Sequence, residues 1–484
     1  MTRPLWTYAE FLAATEGRPL GIKPEAITGI SIDSRSAEPG EAFFAIKGDR
    51  FDGHDYTTMA LARGAATAVV AAGRLPGLGR VSGSLTVVSD VLGALASLGV
   101  AARARSEARI VAVTGSVGKT GTKEMLVQAL QPDGSVHFSP ASFNNHWGVP
   151  LTLSRMPPAS RFGVFEIGMN HAGEIEPLVR MVRPHVALIT TVEPVHLEYF
   201  ASVKAIARAK AEIFQGVEPG GAAILNRDNP HYALLAKLAR AAGIERVIGF
   251  GEHPKAEARL EVVKLKPDCS CVSAHVLGEA ISYKLGAPGR HLVQNSLAVL
   301  AAVVLLGGDL AKASLALATM AASKGRGARY RLDLDHGRAT LIDESYNANP
   351  ASMGAAIALL GQAVPGTGGR RIAVLGDMRE LGKGAAALHA GLAAPLLAAK
   401  VDSVFLAGPL MGALWDELPR DKRGAHAETA GELEPFLLDA LRGGDVIMIK
   451  GSNASRLGPL AEALKVRFAP ARATAEDRQD QETV

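Results

Sequence analysis

Residues 115–121, Gly-Ser-Val-Gly-Lys-Thr-Gly, carry the clearest chemical signal in the sequence. They follow a short β-branched apolar run at residues 110–113, typical of a buried strand, and precede a helical pattern that starts at Thr122. A strand, a glycine loop and a helix N-terminus in this order present backbone N–H groups and the positive helix end to an anion. Lys119 adds a mobile positive charge, and the Thr120 hydroxyl can bind Mg²⁺. The sequence therefore predicts a site for a nucleoside triphosphate.

This loop departs from the general P-loop pattern at one position. The general pattern has a glycine five residues before Gly118, and Val113 stands there instead. The loop is therefore the shortened G-x-x-G-K-T form. A glycine turn without a ligand is the alternative, and the strand and helix patterns on either side disfavour it.

Two further polar side chains follow predicted strands. Glu166 comes near the end of the strand predicted over residues 162–167, and His196 follows the strand predicted over residues 186–190. Parallel sheets bind their ligands beyond the carboxyl ends of the strands, where a carboxylate suits Mg²⁺. Solvated loop positions are the alternative for both residues.

Lys210 falls on the apolar side of a predicted helix. Over residues 202–214 a helical turn places Lys210 between Ile206 and Phe214, so its ammonium points toward protein. Burial lowers the pKa of a lysine, and the neutral amine can react with CO₂ to give a carbamate, an anion able to bind a metal. The alternative is a lysine whose tip reaches solvent past the apolar surface.

The last third of the chain contains three polar loops after predicted strands. The first loop offers hydrogen bonds suited to a ribose, an amine or a peptide, from Asp343, Tyr346, Asn347 and Asn349. Residues 376–382 contain acidic and basic side chains close together in sequence. Lys450 begins a loop of hydrogen-bond donors that fits a carboxylate or a phosphate. An Asn-Pro turn and solvated loops are the alternatives.

Composition limits the classes of protein that these residues can belong to. The chain has 484 residues, of which 48% are apolar and 5% aromatic, and its net charge of +4 is the difference of 52 basic and 48 acidic residues. Few aromatics and a weak overall field disfavour a nucleic-acid partner. Cys269 and Cys271, the only cysteines, are expected to be reduced thiols. The start of the chain lacks an apolar leader, and the longest apolar run, residues 297–306, is too short for a membrane span, so we expect a cytoplasmic protein without membrane insertion.

The elements that must position these residues alternate between strands and helices, which predicts an α/β fold of three domains. Predicted strands in the first part cover residues 42–46, 66–71 and 85–88. Those of the central part cover residues 110–113, 162–167, 186–190, 222–226 and 246–249, with antiparallel strands over 261–284 and helices over 289–306 and 311–322. Those of the last part cover residues 339–343, 371–375, 403–407 and 445–449. The predicted units are an N-terminal α/β substrate domain, a central doubly wound and mostly parallel P-loop domain, a C-terminal Rossmann-like domain and a disordered tail, at residues 1–106, 107–324, 325–468 and 469–484.

The chain resembles the Mur ligases, ATP-dependent enzymes that form amides in peptidoglycan precursor synthesis, over about residues 28–465. The short phosphate loop is shared with all Mur ligases and with folylpolyglutamate synthetases, so it points only to the superfamily. Three longer strings, at residues 144–151, 166–173 and 343–350, are similar to those of the members that add D-alanyl-D-alanine. The Asp-Tyr-Ala-His-type string of the members that add diaminopimelate or lysine does not occur in the sequence. Another Mur ligase that adds an amino acid, a folylpolyglutamate synthetase, and a P-loop ATPase or kinase without ligase activity are the alternatives.

The resemblance also implies substrates and residue roles. It implies a monomer that uses ATP and two Mg²⁺ ions to join D-alanyl-D-alanine to UDP-N-acetylmuramoyl-tripeptide through an acyl phosphate, with the first domain gripping the UDP-sugar. The residues implied to contact ATP are Gly115, Ser116, Val117, Gly118, Lys119, Thr120, Gly121, Asn295, Arg326 and Asp343. The residues implied to contact the other substrates are Ser34, Arg35, Asn144, Asn145, Tyr346, Asn347, Asn349 and Lys450. Thr120 and Glu166 would bind one Mg²⁺ and His196 and carbamylated Lys210 the second, which makes Lys119, Glu166, His196 and Lys210 the implied catalytic set.

An acyl phosphate reacts with water unless the site closes. The resemblance therefore predicts a hinge motion between the second and third domains. Arg326 lies at the predicted boundary between them, and Gly325 and Gly327 on either side give the backbone freedom to move.

Overall fold

The computed structural model describes residues 4–79 and 81–469, which form four β-sheets in three α/β domains. The predicted α/β class with three domains is confirmed. The predicted boundaries near residues 106 and 325 fall in segments that connect successive sheets, and the bounds stay predictions. Apart from Ala469, the predicted tail lies outside the described residues. No helix within the described residues is long and apolar enough to cross a membrane.

The first domain contains a five-stranded sheet in the order β2-β7-β6-β5-β4 and a two-stranded sheet of β1 and β3. Its strands are β1 (Trp6–Thr7), β2 (Arg18–Gly21), β3 (Ala26–Ile27), β4 (Gly29–Ser31), β5 (Glu41–Phe44), β6 (Thr67–Ala71) and β7 (Ser84–Val88). Its helices are α1 (Tyr8–Thr15), α2 (Thr57–Ala62) and α3 (Val91–Ala104). Phe11 of α1 and Leu95 of α3 pack with Phe44 in the core. The indole N–H of Trp6 donates to the Ser154 carbonyl at 3.1 Å, which ties this domain to the central one.

The central domain is built on a nine-stranded sheet in the order β16-β15-β14-β13-β12-β11-β8-β10-β9. Its strands are β8 (Arg109–Thr114), β9 (Val136–Phe138), β10 (Phe162–Glu166), β11 (Val186–Ile189), β12 (Ala222–Asn226), β13 (Arg246–Gly251), β14 (Ala258–Leu265), β15 (Ser270–Val276) and β16 (Glu279–Leu285). Its helices are α4 (Lys119–Leu130), α5 (Gly148–Ser154), α6 (Ile175–Val182), α7 (Val203–Lys210), α8 (Tyr232–Ala241), α9 (Arg290–Leu305) and α10 (Leu310–Leu317). From β9 across the sheet to β14, neighbouring strands are parallel. The β14–β15 and β15–β16 pairs are antiparallel, as predicted for residues 261–284.

Strand β8 shows why this sheet is covered on both faces. Ile110 and Ala112 point into the core under α5 to α8, while Val111 and Val113 point into the core under α4, α9 and α10. Because successive side chains of a strand alternate between the two faces, a continuous apolar run requires helices on both sides. The doubly wound central sheet, predicted from the alternation of strands and helices, is confirmed.

The third domain contains a six-stranded sheet in the order β17-β18-β22-β19-β20-β21, in which only β17 is antiparallel. Its strands are β17 (Ala328–Leu334), β18 (Gly337–Asp343), β19 (Arg371–Gly376), β20 (Ser403–Ala407), β21 (Arg423–Ala427) and β22 (Val446–Lys450). Its helices are α11 (Pro350–Gln362), α12 (Ala385–Ala390), α13 (Ala393–Ala398), α14 (Gly412–Glu417), α15 (Ala430–Ala440) and α16 (Leu457–Arg467). These helices cover both faces of the sheet with apolar residues.

Two predicted helices end earlier than expected. The helix predicted over residues 202–214 is α-helical only to Lys210 and continues as a 3₁₀-helix over Ala211–Gly216. The helix predicted to residue 322 ends at Leu317, because the Leu317 carbonyl accepts a hydrogen bond from the Gly286 N–H at 2.9 Å. Residues 318–327 then cross to the third domain without a regular helix.

Candidate active site

The phosphate loop lies between β8 and α4, and its glycines are required by close neighbours. Gly115 and Gly118 have φ of 151° and 86°, values that side chains rarely adopt. A Cβ on Gly115 would lie 1.9 Å from the Thr190 hydroxyl, and one on Gly118 would lie 2.7 Å from Nδ2 of Asn295. Asn295 therefore packs against the phosphate loop, and its contact with ATP stays a prediction.

Lys119 is the first residue of α4 and folds back over the loop. Its Nζ donates to the Gly115 carbonyl at 2.8 Å. Burial lowers the pKa of Lys119, while the charge of Glu166 acts in the opposite direction. A lysine held over a ring of backbone N–H groups is placed to contact the outer phosphates of a nucleotide. The hydroxyl of Ser116 fixes the other side of the loop, since it donates to the Glu193 carbonyl at 3.1 Å.

Thr120 and Glu166 form a buried oxygen pair below the loop. The Thr120 hydroxyl donates to Oε2 of Glu166 at 2.8 Å, and Nδ2 of Asn144 donates to Oε1 at 2.7 Å. The residue Glu166 is only 3% exposed. A hydroxyl and a carboxylate are the hard oxygen donors that Mg²⁺ prefers, and Mg²⁺ usually takes its remaining ligands from phosphate and water. The pair therefore fits one Mg²⁺ ion bound with a nucleotide. The described ranges contain no group of three or more acidic, histidine or cysteine side chains that could hold a metal ion.

Lys210 and His196 lie beside Lys119. Lys210 is 2% exposed, and burial followed by the charge of Lys119 holds its pKa well below the usual range. Within the described residues, no carboxylate lies at ion-pair distance from its Nζ. Burial also lowers the pKa of His196, and the charges of Lys210 and Lys119 add to this effect, while Glu380 opposes it. The structure thus brings Lys119, Glu166, His196 and Lys210 into one site.

His196 also contacts the third domain. Its Nδ1 lies 2.5 Å from Oε2 of Glu380, which belongs to the loop after β19. The Glu198 N–H donates to the Glu380 carbonyl at 3.3 Å. His196 and Glu380 both have positive φ, 55° and 63°, so the two loops meet through turns of unusual backbone conformation.

A cleft of about 320 Å³ opens above the phosphate loop, with walls from both the central and the third domain. Predicted residues that line it, besides the loop, are Asn144, Glu166, His196, Arg326, Tyr346, Asn347, Asn349 and Lys450. The Arg326 guanidinium lies 3.9 Å from the centre of the Tyr346 ring, at the crossing between the domains. Lys450 donates to the Asn347 carbonyl at 3.0 Å and lies 3.3 Å from Glu344.

Seven predicted site residues do not line this cleft: Gly115, Lys210 and Asn295, which are described above, and Asp343, Asn145, Ser34 and Arg35. Asp343, which the resemblance implies to contact ATP, has a buried carboxylate that accepts from Lys465 at 2.9 Å and from Ser345 at 2.6 Å in this structure, and its contact with ATP stays a prediction. A buried carboxylate needs such partners, and neither Lys465 nor Ser345 is among the residues that line the cleft. Asn145 uses its side-chain oxygen to accept from the Gly148 N–H at 3.0 Å. Ser34 and Arg35 lie in the first domain, on the loop after β4.

Several lining residues were missed by sequence reasoning. They include Ser142, Asn170, His291, Ser323 and Glu344. Glu344 had a usable signal, since it is adjacent to Asp343 in the polar loop after β18. Ser142, His291 and Ser323 had none, because they reach the cleft only when distant elements pack together.

These features define the class of the protein: a three-domain α/β protein with a nucleotide site at a phosphate loop and a third domain that completes the cleft. Three regions match known family descriptions, namely the Mur ligase family catalytic domain at residues 26–75, the Mur ligase middle domain at residues 113–303 and the Mur ligase glutamate ligase domain at residues 328–453. The chain belongs to the Mur ligase family.

Individual relatives cover nearly the whole chain. It is 32% identical to the UDP-N-acetylmuramoyl-tripeptide–D-alanyl-D-alanine ligase of Rickettsia prowazekii, over 90% of this chain and 94% of that one. It is also 32% identical to the Escherichia coli ligase of the same name, over 91% and 94%. Among solved structures, MurF from Acinetobacter baumannii superposes with a TM-score of 0.83 at 31% identity, covering 96% of this chain and 99% of that one. MurF from Thermotoga maritima in complex with ADP gives 0.73 at 25% identity, covering 91% and 98%.

Proposed function

We propose that this chain joins D-alanyl-D-alanine to UDP-N-acetylmuramoyl-tripeptide at the expense of ATP. The observation that carries the proposal is a phosphate loop with a buried Thr120–Glu166 pair that faces the third domain across the cleft. The chain is also about one-third identical to ligases of that name over nine-tenths of its length. Closure between two domains suits a reaction whose intermediate must be kept from water.

The chemistry explains the parts of the cleft. A tripeptide carboxylate is a poor acylating agent, so its oxygen first attacks the γ-phosphorus of ATP, and ADP leaves. The amino group of D-alanyl-D-alanine, freed of one proton, then attacks the acyl carbon. The new C–N bond forms, the C–O bond to phosphate breaks, and inorganic phosphate leaves. Lys119 and the loop N–H groups are placed to hold the β- and γ-phosphates during the first step.

We assign metal binding to two places in this site. Thr120 and Glu166 would hold one Mg²⁺, and His196 with carbamylated Lys210 would hold the second. Bound Mg²⁺ supplies positive charge that offsets the negative charge of the transferring phosphoryl group. Carbamylation fits the surroundings of Lys210, because a buried amine without an acidic partner is held neutral and can attack CO₂, losing a proton as the carbamate forms.

The remaining parts of the proposal concern the whole chain. We place the UDP-sugar on the first domain, near Ser34 and Arg35, and we expect a monomer that acts in the cytoplasm. Domain bounds at residues 1–106, 107–324 and 325–468 belong to the same proposal.

Phosphate release tests this function against its alternatives. With ATP and Mg²⁺, the purified chain should release phosphate only when both the UDP-muramoyl tripeptide and D-alanyl-D-alanine are present. Release without either acceptor would identify an ATPase. Release with a single amino acid in place of the dipeptide would identify an amino-acid-adding ligase, and release with a folate acceptor and glutamate would identify a folylpolyglutamate synthetase.

A further inference from the structure

Lys123 is a buried cation that the mechanism above does not use. It lies on α4, one helical turn beyond Lys119, and it is 1% exposed. Its Nζ donates a single hydrogen bond within the described residues, to the Ser139 carbonyl at 2.9 Å. A buried ammonium with one acceptor is costly, and a methionine would fill the same space without burying a charge. The position of Lys123 therefore calls for an explanation beyond packing.

The acceptor of this hydrogen bond begins the loop that supports the metal pair. Residues 139–147 connect β9 to α5 and contain Ser142 and Asn144. The Ser142 hydroxyl lies 3.3 Å from that of Thr120, and Nδ2 of Asn144 donates to Glu166 at 2.7 Å. Both members of the Thr120–Glu166 pair are thus held from this one loop.

The far side of the loop is fixed by the backbone. The Asn144 carbonyl accepts from the Gly168 N–H at 2.8 Å, just beyond Glu166. A Cβ on Gly168 would lie 2.9 Å from Cγ of Asn144, so the side chain of Asn144 packs directly against the Gly168 backbone. At the other end of residues 139–147, the hydrogen bond from Lys123 to the Ser139 carbonyl attaches this loop to α4. Burial lowers the pKa of Lys123, and the charges of Glu124 and then Glu166 act in the opposite direction.

We propose that Lys123 is a positioning residue, which anchors residues 139–147 to α4 so that Ser142 and Asn144 hold Thr120 and Glu166 in the geometry that binds Mg²⁺ with the nucleotide. This inference deepens the proposed function, because it rests on nucleotide binding at the phosphate loop. It does not depend on which peptide is joined. A chain that binds Mg²⁺·ADP but fails to lengthen the tripeptide would contradict the proposed function and leave this inference standing.

The test compares Lys123→Met with a matched buried cation elsewhere. Arg103 is also buried, donates to the Val182, Arg183 and Ser106 carbonyls and lies 3.5 Å from Glu218, none of which lines the cleft, so Arg103→Met removes a buried cation without touching the loop. ADP affinity is measured by calorimetry with and without Mg²⁺, in the full chain, below the thermal midpoint of each variant. We expect Lys123→Met to reduce the Mg²⁺-dependent gain in ADP affinity about tenfold, as is typical when a partner of metal ligands is removed. ADP affinity without Mg²⁺ should be unchanged.

Three results would overturn the inference. The first is a lower thermal midpoint for Lys123→Met together with the same Mg²⁺-dependent gain in ADP affinity as the unmutated chain. That is the result we expect for Arg103→Met, and for Lys123 it would mean a purely structural role. The second is full additivity of Lys123→Met and Asn144→Ala, because residues that act through one loop should not add. The third is an unchanged Mg²⁺-dependent gain in Asn144→Ala alone, a measurement that stands even if Lys123→Met does not fold.

Discussion

At the scale of single residues, the site depends on ionisable side chains that are buried away from water. Lys119, His196 and Lys210 lie together, and the pKa of each is lowered by burial. The charge of Lys119 lowers the pKa of Lys210 further, and this favours the neutral, nucleophilic form of its amine. Such a cluster attracts the phosphates of a nucleotide, and it would also stabilise the negative charge of a carbamate on Lys210.

Replacement of Lys210 tests the carbamate directly. We expect Lys210→Ala to lower kcat by about a hundredfold or more, the usual effect of removing one preorganised electrostatic group. Short carboxylates such as formate or acetate should restore part of the activity, because they supply the two oxygens of the missing carbamate. Lys204→Ala is the control, since Lys204 lies on the same helix with its side chain exposed. Full activity in Lys210→Ala without any additive would contradict the carbamate.

At the scale of elements, the sequence alone was enough to predict those parts of the site where a chemically active residue coincides with a regular apolar pattern. The apolar run of β8 and the glycine loop predicted the phosphate site, and the stripe of Ile206 and Phe214 predicted a buried Lys210. Strand β9 was missed because it has only three residues and includes His137, too short and too polar for a periodic signal. The loop of residues 376–382 was noticed, but its partner could not be found, because Glu380 and His196 are separated by 184 residues.

Strand β8 is held at its start by a histidine that must stay neutral. Nδ1 of His185 accepts from the Ile110 N–H at 3.0 Å. Burial, followed by the charges of Arg109 and Arg103, lowers the pKa of His185 from 6.5 to about 4, against the opposing effect of Glu218. The unfolded chain therefore binds this proton more readily than the folded chain between these pH values.

The stability of the chain should consequently fall as the pH drops from 6.5 toward 4. In His185→Asn, whose amide oxygen can also accept from Ile110 but does not titrate, that part of the loss should be absent. The difference in unfolding free energy between the unmutated chain and the variant should shrink over this interval and stay constant above pH 7. Denaturant unfolding at several pH values measures it. A difference that does not change with pH would contradict the role of His185.

At the scale of the whole molecule, the cleft is a product of how the second and third domains are arranged. The connection between the domains runs through residues 318–327, and the His196–Glu380 contact joins the same two domains at a second point. The Glu380 side chain is 40% exposed, so the contact is worth no more than about 1 kcal/mol after screening by solvent. An interaction of this size can stabilise one arrangement without preventing motion.

Removal of Glu380 should therefore loosen the third domain. Trypsin should cut Glu380→Ala within residues 318–327, which contain Lys324 and Arg326, about two- to fivefold faster than the unmutated chain, the factor that corresponds to at most about 1 kcal/mol. Glu198→Ala is the control, because it removes an exposed neighbouring carboxylate that does not contact His196. Equal cleavage rates for Glu380→Ala and the control would show that the contact does not hold the domains.

The central claim is that the tripeptide carboxylate takes the γ-phosphoryl group before the dipeptide amine attacks. The most direct measurement labels both oxygens of that carboxylate with ¹⁸O and follows the label by mass spectrometry. We predict that each new amide is accompanied by one inorganic phosphate carrying a single ¹⁸O atom, because the oxygen that attacks phosphorus leaves with it. Label in AMP, or an amide formed together with unlabelled phosphate, would contradict the account.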